Sequence, residues 1–189
     1  MQRIIAGAHR GRRLLDLPAS LQGVRPTGAK VRGAIFDRLQ GDVLNANFLD
    51  LFAGSGAMSF EALSRGAARA TLVERDKRVH RFLQRQIDTL GLGERCELVL
   101  ADAQQFVQRP RSGTYDLVFV DPPYAEPGLY AAVVEPLREG GWLAASATVV
   151  FERDNANRDA VNLWPRGYEL TAQRRYGQTA VDFLAPANR

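Results

Sequence analysis

The strongest constraint on the fold is the stretch from Phe48 to Gly56 in this chain of 189 residues. Its apolar run ends in Asp50, and after one more apolar pair Gly54-Ser55-Gly56 leads into an apolar-periodic segment from Ala57 to Ser64. This order predicts a strand, a tight loop and a helix. The glycines let the backbone approach a ligand, and the loop directs its N–H groups and the positive end of the helix dipole toward it. Many strand–helix turns contain Gly-x-Gly, so the loop alone does not establish a binding site.

Apolar runs alternate with helical periodicity along the rest of the chain. After the glycine loop we expect four more strands and two longer helices, at Ala70–Glu74, Asp76–Leu90, Cys96–Leu100, Tyr115–Val120, Leu129–Leu137 and Trp142–Glu152. Such alternation predicts an α/β fold with a parallel sheet and helices on both faces. The tail differs, because Tyr168–Tyr176 and Thr179–Leu184, joined by Gly177-Gln178, predict a terminal hairpin at the sheet edge.

Length and composition indicate one globular domain, since 46% of the residues are hydrophobic and the chain is long enough to bury a core. We divide it into a basic extension of hairpin and helix, residues 1–46, and one compact unit, residues 47–189. Cys96 is the sole cysteine, which excludes an internal disulfide framework and a cysteine-rich zinc site. No apolar run reaches membrane length and no signal-like segment opens the chain. We therefore expect a soluble cytoplasmic protein with no membrane contact and no metal.

Positive charge is concentrated in residues 1–46. This segment holds eight Lys and Arg against three Asp, whereas the whole chain has a net charge of +4. Two short apolar runs, at Arg3–Gly7 and Arg12–Leu17, predict a β-hairpin whose tip presents basic side chains, among them Arg10 and Arg13. A basic segment on a near-neutral body favours a polyanionic partner such as nucleic acid. The alternative is a solubilising arm.

A helix is expected to follow this hairpin. Arg25-Pro26 favours an extended backbone, because the proline ring disfavours helical geometry in the residue before it. Thr27 can then cap a helix that runs to about Leu39. Val31 and Ile35 would lie on its buried face, as their helical spacing indicates.

Acidic residues stand where the predicted strands end. In an open parallel sheet, ligands bind beyond the carboxyl ends of the strands, and the glycine loop, Glu74, Asp102 and Asp121 all fall there. Glu74 lies 18 residues beyond Gly56. A carboxylate at that place suits the two hydroxyls of a ribose, and the alternative is a cap for the following helix. Ser59 occupies the third glycine position of the dinucleotide fingerprint, so a nucleoside without phosphates fits better than a dinucleotide.

The tetrapeptide Asp121-Pro122-Pro123-Tyr124 carries the most specific chemistry. Two prolines end a strand and stiffen the turn that follows. The turn then exposes the carboxylate of Asp121, the carbonyl of Pro122 and the ring of Tyr124. These groups can hold a planar amine, because two acceptors take its N–H groups and the ring stacks on its base. The alternative is a turn that only ends the strand.

These residues together resemble the class I S-adenosylmethionine-dependent methyltransferases that modify exocyclic amines. Within that class the chain resembles the RsmD family of 16S rRNA guanine-N2 methyltransferases, and the similarity runs nearly from end to end. The motifs that carry it are Arg3-Ile4-Ile5-Ala6-Gly7, Arg10-Gly11-Arg12, Arg25-Pro26-Thr27, Val31-Arg32, Asp50–Gly56, Glu61–Ala67, Asp121–Tyr124 and Gly177-Gln178. Gly28, Ala29-Lys30 and Asp37 depart from the family's usual residues, near the face expected to bind RNA.

The resemblance implies a Rossmann-like, mostly parallel seven-stranded sheet with the last strand antiparallel. It implies methyl transfer from S-adenosylmethionine to the N2 amine of a guanine in 16S rRNA, within a partly assembled small ribosomal subunit. The implied catalytic residues are Asp121, Pro122 and Tyr124. The implied cofactor site comprises Asp50, Ala53, Gly54, Ser55, Gly56, Glu74, Arg75, Asp102 and Ala103. The expected RNA-binding residues are Arg10, Arg12, Arg13, Arg25 and Arg32.

Three other functions stay open from the sequence. A DNA adenine-N6 methyltransferase uses the same turn, but the roughly 65 residues between Gly56 and Asp121 leave no room for a target-recognition region. A protein glutamine methyltransferase usually starts this turn with Asn and gives no reason for the basic N-terminal segment. A non-catalytic RNA-binding assembly factor would keep the fold without needing Asp121 or Glu74.

Overall fold

The structure is a computed structural model that describes residues 2–18, 21, 27–110, 113–123, 128–155 and 167–187. Two of the predicted site residues, Arg25 and Tyr124, lie outside the described residues. Within the described ranges, no helix combines the length and the apolar character needed to cross a bilayer.

A seven-stranded sheet forms the centre of the described part of the chain. Its strands are β1 (Asn47–Asp50), β2 (Arg69–Glu74), β3 (Cys96–Leu100), β4 (Tyr115–Val120), β5 (Leu143–Asp154), β6 (Tyr168–Tyr176) and β7 (Thr179–Pro186). They lie in the order β3-β2-β1-β4-β5-β7-β6. The first five pair in parallel, and β7 runs antiparallel to both β5 and β6. The predicted fold, including the antiparallel last strand and the terminal hairpin, is confirmed.

Helices cover both faces of the sheet. They are α1 (Ala29–Arg38), α2 (Ala57–Ser64), α3 (Lys77–Leu90), α4 (Ala103–Val107) and α5 (Leu129–Glu139). Side chains alternate along β1, so Phe48 joins the core under α1, α2 and α3, whereas Leu49 joins the core under α4 and α5. Both faces of the strand are therefore buried, which explains why the sequences of the central strands are continuous apolar runs.

The N-terminal segment is packed onto the body of the protein. A single antiparallel bridge joins Arg3 and Arg13, so the predicted hairpin is reduced to one bridge around a turn. Ile4 and Leu14 are buried in the same core cluster as Phe48. Residues from both sides of the expected boundary at residue 46 therefore share one core, and the division into 1–46 and 47–189 stays a prediction.

The expectation that Thr27 caps α1 is wrong. Gly28 is the N-cap residue of this helix, and no side chain caps it. The Thr27 hydroxyl instead donates a 3.0 Å hydrogen bond to Oε2 of Glu152, across the carboxyl end of the sheet. This long-range bond brings the start of α1 over the edge of the sheet where the acidic residues lie.

Candidate active site

A cavity of about 780 Å³ opens at the carboxyl ends of the parallel strands. The chain crosses from β1 to β2 in one direction and from β4 to β5 in the other, so the cavity lies at the point where the strand order reverses. Its size is within the usual range of about 300–1,000 Å³ for small-molecule sites. Its walls include Asp50, Gly54, Glu74, Asp102 and Asp121. The structure thus brings together the strand-end residues that the sequence singled out.

Glu74 fixes the glycine loop from the neighbouring strand. Its Oε2 accepts a hydrogen bond from the Gly54 N–H at 3.2 Å, and its Oε1 accepts one from the Asp76 N–H at 2.8 Å. Burial raises the pKa of the Glu74 carboxyl, and hydrogen bonds from these backbone N–H groups partly offset that rise. The alternative that Glu74 caps α3 is wrong, because the N-cap is Asp76, which accepts from the Arg78 N–H.

The two glycines of the loop, Gly54 and Gly56, both have positive φ but occupy different surroundings. Gly54, at φ 50°, lines the cavity together with Ala53 and Ser55. Gly56, at φ 73°, is the N-cap of α2, and a Cβ there would collide with the Phe60 ring. Gly56 does not contribute to the described cavity wall. Gly56 thus has a packing role behind the loop, and its contact with the cofactor stays a prediction.

Asp50 is a buried carboxylate on the floor of the cavity. It is 1% exposed, and its Oδ2 accepts a 2.9 Å hydrogen bond from the Ser59 hydroxyl. Its Oδ1 has no hydrogen-bond partner among the described residues. Burial raises the pKa of Asp50 to about 7, with the Ser59 hydroxyl and the nearby Phe52 N–H opposing the rise. An oxygen at this depth with no partner among the described residues is available to a donor group of a ligand.

The remaining residues of the expected cofactor site also line the cavity. Asp102 is the N-cap of α4, and its Oδ1 accepts from the Gln104 N–H at 2.9 Å. Ala103, next to it, is buried, and Arg75 lies exposed at the rim beyond β2. Three neighbouring strand ends, those of β1, β2 and β3, thus form one side of the cavity.

Asp121 and Pro122 lie on the other side, directly beyond β4. Asp50 pairs in register with Phe119, so Asp121 lies on the same face of the sheet, two residues farther along. Burial raises the pKa of Asp121 well above its usual value, and the charges of Glu152 and Asp50 raise it further. The carboxylates of Asp50, Asp121 and Glu152 therefore lie close together in the cavity wall.

Glu152 is the site residue that the sequence analysis missed. It lies near the end of β5, is 6% exposed and lines the cavity. The rule that singled out Glu74 and Asp121 applies here as well, because Glu152 follows the apolar run of the predicted fifth strand. Thr27, which was assigned to a helix cap, lines the same part of the cavity.

The expected RNA-binding arginines have different environments. Arg10 and Arg13 are exposed. Arg12 is exposed too, but its guanidinium donates to the backbone carbonyls of Leu90 at 2.9 Å and Thr89 at 2.8 Å, at the end of α3. Arg12 therefore has a structural role that the sequence did not show.

Arg32 cannot contact RNA in this structure. It is 0% exposed, and its guanidinium donates to the Arg3 carbonyl at 2.7 Å. Its Nε lies 3.7 Å from Oε2 of Glu61, which is also fully buried. The expectation for Arg32 is therefore wrong, because this arginine is a core residue that holds the N-terminal segment against α2.

Comparisons with known proteins agree with this architecture. Residues 2–185 match the family model described as "Conserved hypothetical protein 95". The "Ribosomal RNA small subunit methyltransferase D" of Escherichia coli (strain K12) is 38% identical over 94% of this chain and 86% of the relative. The protein of the same description from Haemophilus influenzae is 34% identical over 93% of this chain and 89% of the relative.

A solved structure shows the same fold over the full length. That of the Escherichia coli protein yhhF superimposes with a TM-score of 0.85 at 35% identity, and it covers 100% of this chain and 99% of the other. The chain belongs to the RsmD family of methyltransferases. It is thus an enzyme of the S-adenosylmethionine-dependent class.

The cavity of this RsmD-family protein fits such a methyl donor. A nucleoside linked to an amino acid needs hydrogen-bond acceptors for its ribose, its adenine amine and its ammonium group. The cavity offers carboxylates at three adjacent strand ends, and one of them, Asp50, has an oxygen without a partner among the described residues. Within the described ranges, no group of three or more His, Cys, Asp or Glu side chains is arranged to hold a metal ion.

Proposed function

We propose that this protein transfers a methyl group from S-adenosylmethionine to the exocyclic N2 amine of a guanine in 16S rRNA. The observation that carries the proposal is the position of Asp121 and Pro122. They lie directly beyond β4, the strand that pairs with the strand of Asp50, and they share a cavity with the glycine loop and Glu74. This arrangement supports a role for Asp121 and Pro122 in positioning an amine next to a bound nucleoside.

The cofactor side of the cavity supports specific contacts. Asp50 and the loop residues Ala53, Gly54 and Ser55 would hold the methionine end of the donor. Glu74 would accept from the ribose hydroxyls while it keeps the loop in place. Asp102 would accept from the adenine amine, with Ala103 beside the ring and Arg75 at the rim.

The acceptor side supports direct displacement. The donor supplies a methyl group bound to a positively charged sulfur. The guanine amine is a poor nucleophile, since its lone pair is delocalised into the ring. Asp121 and the Pro122 carbonyl would accept from its two N–H bonds and favour a tetrahedral nitrogen. Asp121 would stabilise the positive charge on nitrogen and could then take the proton that the methylated amine releases. Its raised pKa suits that second step.

The exposed part of the N-terminal segment supports RNA binding. Arg10 and Arg13 can contact phosphates, which fix the position of an RNA without reading its sequence. By resemblance to the family, Arg25 would add a further phosphate contact and Tyr124 would stack on the target base, which has to leave its own stack to reach the cavity.

We extend the proposal to the assembly state of the substrate. The family resemblance supports a partly assembled small ribosomal subunit as the substrate. Such a substrate would place the enzyme in the cytoplasm.

The test is methyl transfer with defined substrates. Small-subunit particles, free 16S rRNA, DNA and total protein from a strain that lacks this enzyme are incubated with purified protein and radiolabelled S-adenosylmethionine. Mass spectrometry of the labelled nucleosides then identifies the modified base. We expect N2-methylguanosine in 16S rRNA, formed faster on particles than on free RNA. Label in DNA adenine or in protein glutamine, or no label at all, would contradict the proposal and favour one of the alternatives.

A variant pair separates chemistry from binding. Asp121→Ala should reduce single-turnover methylation by about 100-fold or more, because both the hydrogen-bond acceptor and the charge that stabilise the transition state are lost. S-adenosylmethionine affinity should change much less. Asp42→Ala, the same substitution at an exposed position, is the matched control. Equal turnover in both variants would exclude Asp121 from the reaction.

A further inference from the structure

Glu152 stands beside Asp121 on the same face of the sheet. Val120 of β4 pairs in register with Phe151 of β5, so the next residues of the two strands, Asp121 and Glu152, are neighbours. Asp50, on the adjacent β1, faces the same side. Neighbouring strands are about 4.8 Å apart. Glu152 is thus within reach of a planar ring whose amine is held by Asp121.

Two hydrogen bonds fix the position of Glu152. The Thr27 hydroxyl donates to its Oε2 at 3.0 Å, and the Tyr130 hydroxyl donates to its backbone carbonyl at 2.6 Å. All three residues are at most 7% exposed. Thr27 therefore holds one carboxylate oxygen of Glu152, and the residue lines the cavity.

Glu152 adds a third carboxylate to this part of the cavity, next to Asp121 and Asp50. Its charge raises the pKa of Asp121. Nearby, Oδ1 of Asp50 has no hydrogen-bond partner among the described residues, so it is available to a donor group of a ligand.

We infer that Glu152 accepts the N1–H of the target guanine and thereby selects guanine over purines that lack this donor. The inference rests on the proposed function. The Watson–Crick edge of guanine presents the N1–H directly beside the N2 amine, and adjacent carboxylates on β4 and β5 match two adjacent donor groups. In adenine, N1 is an acceptor, so a carboxylate facing it is repelled. Thr27 is a positioning residue that keeps Glu152 aimed at the base.

The experiment compares two target bases in otherwise identical substrates. Small-subunit particles are reconstituted with 16S rRNA that carries either guanine or 2-aminopurine at the mapped position. The analogue 2-aminopurine keeps the exocyclic amine but has an acceptor at N1. We measure kcat/KM for both bases with the unmodified protein, Glu152→Gln and the control Glu169→Gln, which makes the same change on the exposed face of β6. S-adenosylmethionine affinity and Tm are measured for each variant.

The ratio of the two kcat/KM values decides the inference. The unmodified protein and Glu169→Gln should prefer guanine, and Glu152→Gln should narrow that preference by about tenfold or more, because its amide can donate to the N1 of 2-aminopurine. A Glu152→Gln variant that loses activity equally on both bases would show a structural role and overturn the inference. If the unmodified protein methylates neither base at N2, the proposed function itself fails.

A second variant covers the case in which Glu152→Gln does not fold. Thr27→Val keeps the side-chain volume and removes the hydrogen bond that orients Glu152. It should narrow the guanine preference by a few-fold while S-adenosylmethionine affinity stays unchanged. A Thr27→Val variant with the full guanine preference would then overturn the inference.

Discussion

The Gly54 N–H donates to Oε2 of Glu74 at 3.2 Å, so the loop after β1 is held by the strand-end acid of β2. The same carboxylate accepts the Asp76 N–H with its other oxygen. Glu74 thus joins the glycine loop to the start of α3. A residue expected only to bind a ribose also shapes the loop that would bind the rest of the cofactor.

Glu74→Ala should weaken S-adenosylmethionine binding by about 1–3 kcal/mol, because charged hydrogen bonds to the ligand and to the loop are left unmade. Isothermal calorimetry measures the loss. Glu97→Ala is the matched control, since Glu97 accepts only from Thr71 in the hydrogen bonds described and lies outside the cavity wall. Equal affinities for the two variants would remove Glu74 from the cofactor site.

The raised pKa of Asp50 predicts how stability depends on pH without cofactor. Between about pH 4 and pH 7 the folded state keeps a proton on Asp50 that the unfolded state has released. The free energy of unfolding should therefore fall as the pH rises through this window. The limit is about 4 kcal/mol, at about 1.4 kcal/mol per pH unit. Glu74 and Asp121 act in the same direction.

Asp50→Asn should flatten this pH dependence, because an amide does not titrate and its oxygen can still accept from Ser59. Urea unfolding at pH 5, 6, 7 and 8 measures the slope. The exposed substitution Asp42→Asn should leave the slope as it is. A steep slope that survives in Asp50→Asn would assign the titration to other groups.

The sequence predicted the elements of this fold because their signals are local. The glycine loop between β1 and α2, the apolar spacing of α3 and the turn at Gly177 each lie within a few residues. The insertion of β7 between β5 and β6 is a relation between distant strands, and the sequence did not predict it. The family resemblance implied only that the last strand is antiparallel. Strand-end acids were predictable as a group, since the carboxyl ends of parallel strands meet at one edge.

The roles of individual arginines could not be predicted, because their partners are far away along the chain. Arg12 donates to Leu90, 78 residues later, and Arg32 donates to Arg3, 29 residues earlier. From composition, both look like members of a basic surface segment. Only tertiary packing separates a buried arginine from an exposed one.

Arg32→Met should destabilise the protein by about 1–3 kcal/mol, since the Arg3 carbonyl and Glu61 lose a buried donor while Glu61 keeps its 2.7 Å ion pair with Arg65. Glu61 also accepts from the N–H groups of Ile5 and Ala6, so the N-terminal segment should loosen. Denaturant unfolding measures the change, and Lys30→Met, at an exposed position of α1, is the control. Normal stability with weakened RNA binding would restore Arg32 to the RNA-binding set.

Replacing the exposed arginines of the N-terminal segment should weaken RNA binding, whereas replacing Arg12 should lower stability. Replacing Arg10 and Arg13 together by Ala should weaken RNA binding most at low salt. The slope of log affinity against log salt should fall by up to about 0.9 for each lost phosphate contact. Tm should hardly change, because both side chains are exposed.

Arg12→Ala should instead destabilise the protein by about 1 kcal/mol, since the carbonyls of Thr89 and Leu90 at the end of α3 lose a cationic donor. Filter binding across salt concentrations and thermal melts measure the two effects. A double variant with unchanged salt dependence and a clear loss of Tm would show that the whole segment is structural and that RNA is bound elsewhere.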